Sequence, residues 1–343
     1  MSKRDLRRVF PGGSRPKDSG NRATRLPGSI DVPSFAFEKL FLSGYETIRT
    51  ACAGVTDLGI AIFAMDIFTR ETTALWVAAR AGRANAAVLG RHDLSDLCLS
   101  GDPSLSLRHL ALVVHPLRGW DNDTVRFRVI DLRTGLGFQD ETGRRLEAVM
   151  VEGPVFLRCG RYALFCLITG DPTDWPPDGQ TAWEMIPERV FLAEQEPSPW
   201  KTAPQFRALA GRPGGSRRSI ITQIPSALPV EDCQLRDGEI PLGRLTLTSG
   251  PRAHTTLLGR SAAERGLLLG QYHRCEGHGV LTHGQISRVH LLIVAIDGAL
   301  HVLDTSSTNG TWHGSRRVRL LSLEQETMLI LGGDVARVRW APT

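Results

Sequence analysis

Residues 284–312 read GQISRVHLLIVAIDGALHVLDTSSTNGTW. Leu291 to Ile296 and Leu300 to Leu303 are short apolar runs rich in branched side chains, and they read as two strands. Asp297-Gly298 between them is a hairpin turn, and Asn309-Gly310 begins another. A hairpin returns its outer ends to one place. The polar loop before Leu291 and the one after Leu303 should therefore emerge together at one end of a small β sandwich, where they could form a peptide-binding surface.

Ser287-x-x-His290, the apolar hairpin and Asp304-Thr-Ser-Ser-Thr-Asn309-Gly310-Thr follow one another in an order and spacing that resemble the signature of the forkhead-associated (FHA) domain. That family is a β sandwich that binds phosphothreonine peptides, and the resemblance runs from residue 240 or so to the end of the chain. Phosphothreonine carries a charge of about −1.5 to −2 on three acceptor oxygens, so its reader must hold several donors in a fixed arrangement. The resemblance implies that a loop arginine following a glycine and the serine of S-x-x-H hold the phosphate. It also implies that the histidine braces the loops and that the asparagine before the last glycine fixes the peptide backbone. A guanidinium suits the first task because it gives two parallel charge-assisted bonds.

A second, worn copy lies upstream. Aligning residues 88–114 with 268–294 puts Gly90 on Gly270, Arg91 on Gln271, Ser106 on Ser287 and His109 on His290. Farther on, Arg133-Thr-Gly-Leu-Gly137 parallels the Thr305 to Gly310 loop, and Phe156–Cys166 reads as a last hairpin, as does Met328–Trp340. The expected fold is therefore all-β, with two FHA-type sandwiches in tandem. The first copy keeps Arg91, Ser106 and His109 but has Leu136 where the asparagine belongs. The second has Ser287, Arg288, His290, Thr308, Asn309 and Gly310, yet Gln271 stands at the arginine position. On a rival alignment Leu258-Gly259-Arg260-Ser261 supplies that arginine; the Gln271 alignment instead pairs Leu257–Ser261 with Gly266–Tyr272 as a first hairpin. Arg274 and Arg288 are candidates to make up the missing charge, and Gly90, Gly270 and Gly310 are structural.

The 343 residues divide unevenly in charge. Residues 1–30 hold eight basic and two acidic side chains, a net of +6, which leaves the rest at −1 against the whole-chain +5. Residues 1–33 thus read as a disordered basic tail, solubilising or in weak contact with nucleic acid, with Thr24 as a candidate phosphorylation site. The first sandwich is expected over 60–172, a Pro-rich linker over 173–239 and the clearer FHA domain over 240–343. Within the linker Thr181–Glu196 reads as a helix, and Trp175, Trp183 and Trp200 indicate that part of it packs on a domain. Phe35–Leu42 reads as a short helix, and Gly59–Phe68 as a buried strand or short helix.

No apolar run approaches the ~18 residues of a membrane span. Six cysteines without framework spacing are those of a reducing, cytoplasmic protein. His273, Cys275, His278 and His283 are close enough to raise a zinc site, but their spacing fits no C-x-x-C pairing. Ser287, His290 and Asp304 match a hydrolase triad in type, yet no strand-turn-helix elbow surrounds the serine. The sequence is thus that of a non-enzymatic adaptor or scaffold without a cofactor. Its expected partner is a phosphothreonine-containing protein, a Ser/Thr kinase or its substrate; the alternative is a scaffold that has lost phosphopeptide binding.

Overall fold

The computed structural model describes residues 37–117, 125–192, 218–227 and 235–343. The basic tail with Thr24, together with Trp200 and Cys233, lies outside them. Leu291–Ile296 and Ala299–Asp304 form the central hairpin, turning through Asp297 (φ 49°) and Gly298 (φ 86°). These paired left-handed conformations match the twist of the two strands. With Leu267–Leu269 and Leu320–Ser322 the hairpin makes one sheet of the C-terminal sandwich. The facing sheet runs Arg252–Gly259, Pro241–Ser249, Ala336–Pro342, Thr327–Leu331, Thr311–His313, Arg316–Val318. Leu245, Leu247, Leu291, Ile293, Val302, Leu331 and Trp340 fill the space between them.

The N-terminal sandwich has the same plan. Gly59–Asp66 is a fully buried strand between Thr72–Ala78 and Tyr162–Thr169. The opposite sheet is built around Asn85–Gly90, Leu110–Val114, Arg126–Asp131 and Ala148–Glu152. A helix, Phe37–Cys52, longer than the Phe35–Leu42 expectation, covers the outside of the first sheet. It buries Phe37, Leu40, Phe41, Tyr45 and Ile48 at helical spacing against Phe63, Phe156, Phe165, Trp175 and Trp183.

The structure departs from the sequence expectation at two places. The segment taken as a linker adds Glu188–Leu192 and Arg218–Gln223 to the first sandwich, paired parallel to each other and, through the latter, antiparallel to Ala148–Glu152. Its helix spans only Gly179–Met185, capped by the Asp178 carboxylate, because Pro187 disfavours helical backbone at Ile186. Nor does Leu257–Ser261 pair with Gly266–Tyr272. Arg252–Gly259 pairs with Pro241–Ser249, a short helix Arg260–Arg265 buries Ala262 and Ala263, and Gly266 (φ 97°) ends it before the chain enters the other sheet. Two adjacent alanines favour a helical turn there over an extended strand.

The two sandwiches share an apolar interface. Leu110, Leu112 and Val114 face their own core while Ala111 and Val113 face outward; in the C-terminal hairpin Leu291 and Ile293 face inward while Leu292, Val294 and Ile296 face outward. The outward residues meet in one cluster with Val88, Ile130, Leu268 and Leu303. Burial on both faces is why these strands read as unbroken apolar runs. Polar contacts rim the cluster: Arg126 and His115 on Asp297, Arg128 on the Glu264 carbonyl, Arg133 on the Ala227 and Arg274 carbonyls, and Arg319 on Asp96.

Candidate functional site

In the C-terminal sandwich the loops on either side of the hairpin are tied together. His290, fully buried, accepts the Ser287 backbone N–H on Nδ1 (3.1 Å) and turns Nε2 to the Gly310 carbonyl (3.3 Å). Burial pushes its pKa down, opposed by the nearby Asp304 carboxylate, so the ring is neutral with its proton on Nε2. Neither ring nitrogen is left for the Ser287 hydroxyl, so the three residues do not form a hydrolase triad. Asp304 instead accepts from the Ser307 N–H (2.7 Å), the Ser307 hydroxyl and the Thr311 hydroxyl (both 2.6 Å), which shapes the loop from within.

That leaves a row of polar groups along the loop pair, with Ser287 buried beneath the exposed ones. Ser287 Oγ accepts the Thr308 backbone N–H (3.2 Å), which leaves its own hydrogen to donate. Thr308 and Asn309 are exposed, and Asn309 Nδ2 reaches the Gln285 carbonyl (2.9 Å), closing the gap between the loops. Arg288 is exposed beside Ser287. Arg274 lies over the Tyr272 ring and against Gly135 of the other sandwich, and so faces the first copy's loop.

The N-terminal sandwich repeats the histidine bonds of this frame. Ser106 N–H donates to His109 Nδ1 (3.2 Å), and His109 Nε2 meets the Gly137 carbonyl (3.0 Å). Arg91 N–H donates to the Ser106 carbonyl as Gln271 N–H does to that of Ser287. Gly90 and Gly270 both lie where a Cβ would come within 2.3 Å of a carbonyl oxygen, that of Leu107 or Arg288. Asp131 and Thr134 match Asp304 and Ser307, so Gly135 and Leu136 stand where Thr308 and Asn309 stand in the second copy. The first copy thus lacks a second loop donor as well as the asparagine.

These shared bonds place Gln271, not Arg260, opposite Ser287; Arg260 begins the helix between the sheets. Arg91 uses Nε on the Leu105 carbonyl (3.1 Å). Gln271 gives both amide hydrogens to the carbonyls of Thr282 (3.1 Å) and His283 (2.5 Å). It therefore braces a loop and has nothing left for an incoming anion. Sequence reasoning missed Arg108, which crosses from the first sandwich to the Ser306 carbonyl (Nε 3.1 Å, Nη2 2.8 Å) and lies 3.4 Å from Thr308 Oγ1. The signal was present: Ser106-Leu-Arg108-His109 has a basic residue where the second copy has the buried Val289. As for zinc, no group of three potential ligands comes together among the described residues, and buried Cys275 turns its thiol to the Arg288 carbonyl.

The FHA domain family model matches residues 256–332, so the chain carries an FHA domain in its C-terminal sandwich. Among solved structures, an FHA domain of Mycobacterium tuberculosis Rv1747 is 24% identical, covering 30% of this chain and 98% of its own, with a TM-score of 0.25. The FHA1 domain of yeast Rad53 is 21% identical over 32% of this chain and 81% of its own (TM-score 0.27). The FHA domain of Chlamydia trachomatis CT664 is 19% identical over 29% and 98% (TM-score 0.25). No curated protein matches the chain.

Proposed function

We propose that the C-terminal FHA domain binds a phosphothreonine-containing segment of a partner protein and that the chain is a cytoplasmic adaptor or scaffold in Ser/Thr kinase signalling. The observation that carries this reading is the pairing of the two loops. The Thr308 N–H bond to Ser287 Oγ and the Asn309 bond to Gln285 set two hydroxyls and an amide side by side at the sandwich end, on a frame fixed by His290 and Asp304. Such an arrangement offers an anion several donors and an extended peptide an amide to bond. Ser287, Thr308 and Asn309 are assigned to the peptide and Arg288 to its acidic flank, with Gly270, His290 and Gly310 holding the loops.

The N-terminal sandwich has the other role, that of a scaffold without a phosphopeptide clamp. Gly135 and Leu136 take away the loop donors that would accompany Arg91 and Ser106, while Arg274 approaches Gly135 across the interface. The test is a titration of the full chain with an oriented phosphothreonine peptide library and its unphosphorylated counterpart. Binding should depend on the phosphate and drop about 10-fold or more in Ser287→Ala. Equal affinity for the two libraries would refute the reading.

A further inference from the structure

Gln271 leaves the second site without the guanidinium that its neighbours' arrangement calls for, and both its amide hydrogens are already committed. The cation beside the site comes from the other sandwich. Arg108 is only 7% exposed, and among the described residues it forms no ion pair with a carboxylate. Its fork is taken by one carbonyl, that of Ser306, and its Nη1 has no partner among the described residues. A nearly buried charge whose hydrogen bonds all go to neutral groups is costly unless an anion completes its surroundings. Asp304 offsets this burial only through its field, since its carboxylate takes its hydrogen bonds from Ser307 and Thr311 and makes no ion pair with Arg108.

We propose that the two sandwiches form one phosphate site, in which Arg108 supplies across the interface the positive charge that the Gln271 position lacks. Arg108 is a positioning residue that works through Thr308. When its Nη2 donates to Thr308 Oγ1, the hydroxyl hydrogen turns outward, beside the hydrogen of Ser287, where both can donate to a phosphate oxygen. The Ser306 carbonyl that it grips belongs to a left-handed corner of the loop (φ 63°). Arg133, at the same place in the first copy, has φ 60°. The corner therefore belongs to the frame, and the inter-sandwich arginine is what is added to it.

This inference rests on the phosphothreonine reading above, and the experiment separates the two. The full chain and its Arg108→Gln, Arg108→Lys and Arg108→Gln/Gln271→Arg variants are titrated with the phosphothreonine library, with thermal melts as a check on folding. Arg108→Gln should weaken phosphate-dependent binding about 10- to 100-fold, Arg108→Lys should retain much of it, and Gln271→Arg should restore it in the Gln variant. Unchanged binding by Arg108→Gln overturns the proposal while leaving the phosphothreonine reading in place. Lost binding that neither lysine nor Gln271→Arg recovers overturns it too, since Arg108 is then only a brace between sandwiches. Loss of phosphate dependence in the unmodified chain refutes both. If Arg108→Gln does not fold, the arginine Nε–H spectrum of the unmodified chain decides: the Arg108 resonance must shift when phosphopeptide is added, and an unmoved one overturns the proposal.

Discussion

Asn309 and His290 lie in the same loop pair and do opposite things. Asn309 is exposed and bonds only at the surface, so Asn309→Ala should cost about 1 kcal/mol of peptide affinity, roughly fivefold, with the urea midpoint unchanged. His290 is buried between the Ser287 N–H and the Gly310 carbonyl, the second of which also accepts the Gly332 N–H (3.3 Å). His290→Ala should therefore destabilise the domain by about 1–3 kcal/mol, read as a lower urea midpoint, because it strands the Ser287 N–H and leaves the Gly310 carbonyl with the Gly332 N–H alone. The placement of both was legible in the sequence, since Ser287, His290, Asn309 and Gly310 meet partners on the two loops that flank one hairpin. Gln271 and Arg108 were not. What an amide does with its two hydrogens depends on Thr282 and His283 folding under it, and Arg108 finds its partner 198 residues away. Spacing within a motif carries no information about either.

At the scale of elements, the close approach of strand ends decides where the site loops start. A Cβ on Gly270 would lie 2.2 Å from the Arg288 carbonyl oxygen, on the backbone that carries Ser287. Backbone on both sides cannot yield as a flexible side chain would. Gly270→Ala should thus lower stability by more than the ~1 kcal/mol of an ordinary glycine replacement and also weaken phosphopeptide binding. Chemical denaturation and the library titration check the two effects. Gly298→Ala, at a turn far from the loops, should lower stability without moving the affinity. The strands of both hairpins were readable because apolar runs bounded by turn residues have few alternatives. Glu188–Leu192 and Arg218–Gln223 were not readable. They are half-polar strands at one end of a sheet, and their identity comes from pairing with each other and, for Arg218–Gln223, with Ala148–Glu152 rather than from their own pattern. The Arg252–Gly259 strand was seen only in part, because a pattern of alternating residues says nothing about which neighbour it pairs with.

The whole molecule depends on an interface that buries histidine without charging it. His115 is 1% exposed between the sandwiches, where its Nδ1 meets Asp297 (3.0 Å) and Arg126 and Arg128 stand nearby; its Nε2 has no hydrogen-bond partner. Burial, aided by the two arginines and opposed by Asp297, lowers its pKa from 6.5 to about 4. Burial also lowers His109 and His290. In each case the unfolded chain takes up a proton at a higher pH than the folded one does. Stability is therefore full above the unfolded pKa and is lost as pH falls below it toward the folded value. One pH unit below 6.5 the loss from His115 alone is about 1.4 kcal/mol. Asp131, raised by burial, opposes this in more acid solution because its folded form takes up a proton first. The urea midpoint should accordingly be lower at pH 5.5 than at 7.5. The Gln replacement of His115, which keeps a donor for Asp297 and cannot titrate, should flatten part of that slope. Because Arg108 reaches Thr308 only while the two sandwiches stay together, phosphopeptide affinity in mild acid should fall more steeply in the unmodified chain than in His115→Gln. Parallel titrations at pH 5.5 and 7.5 measure that difference, and identical pH dependence in the two proteins would uncouple the interface from the site.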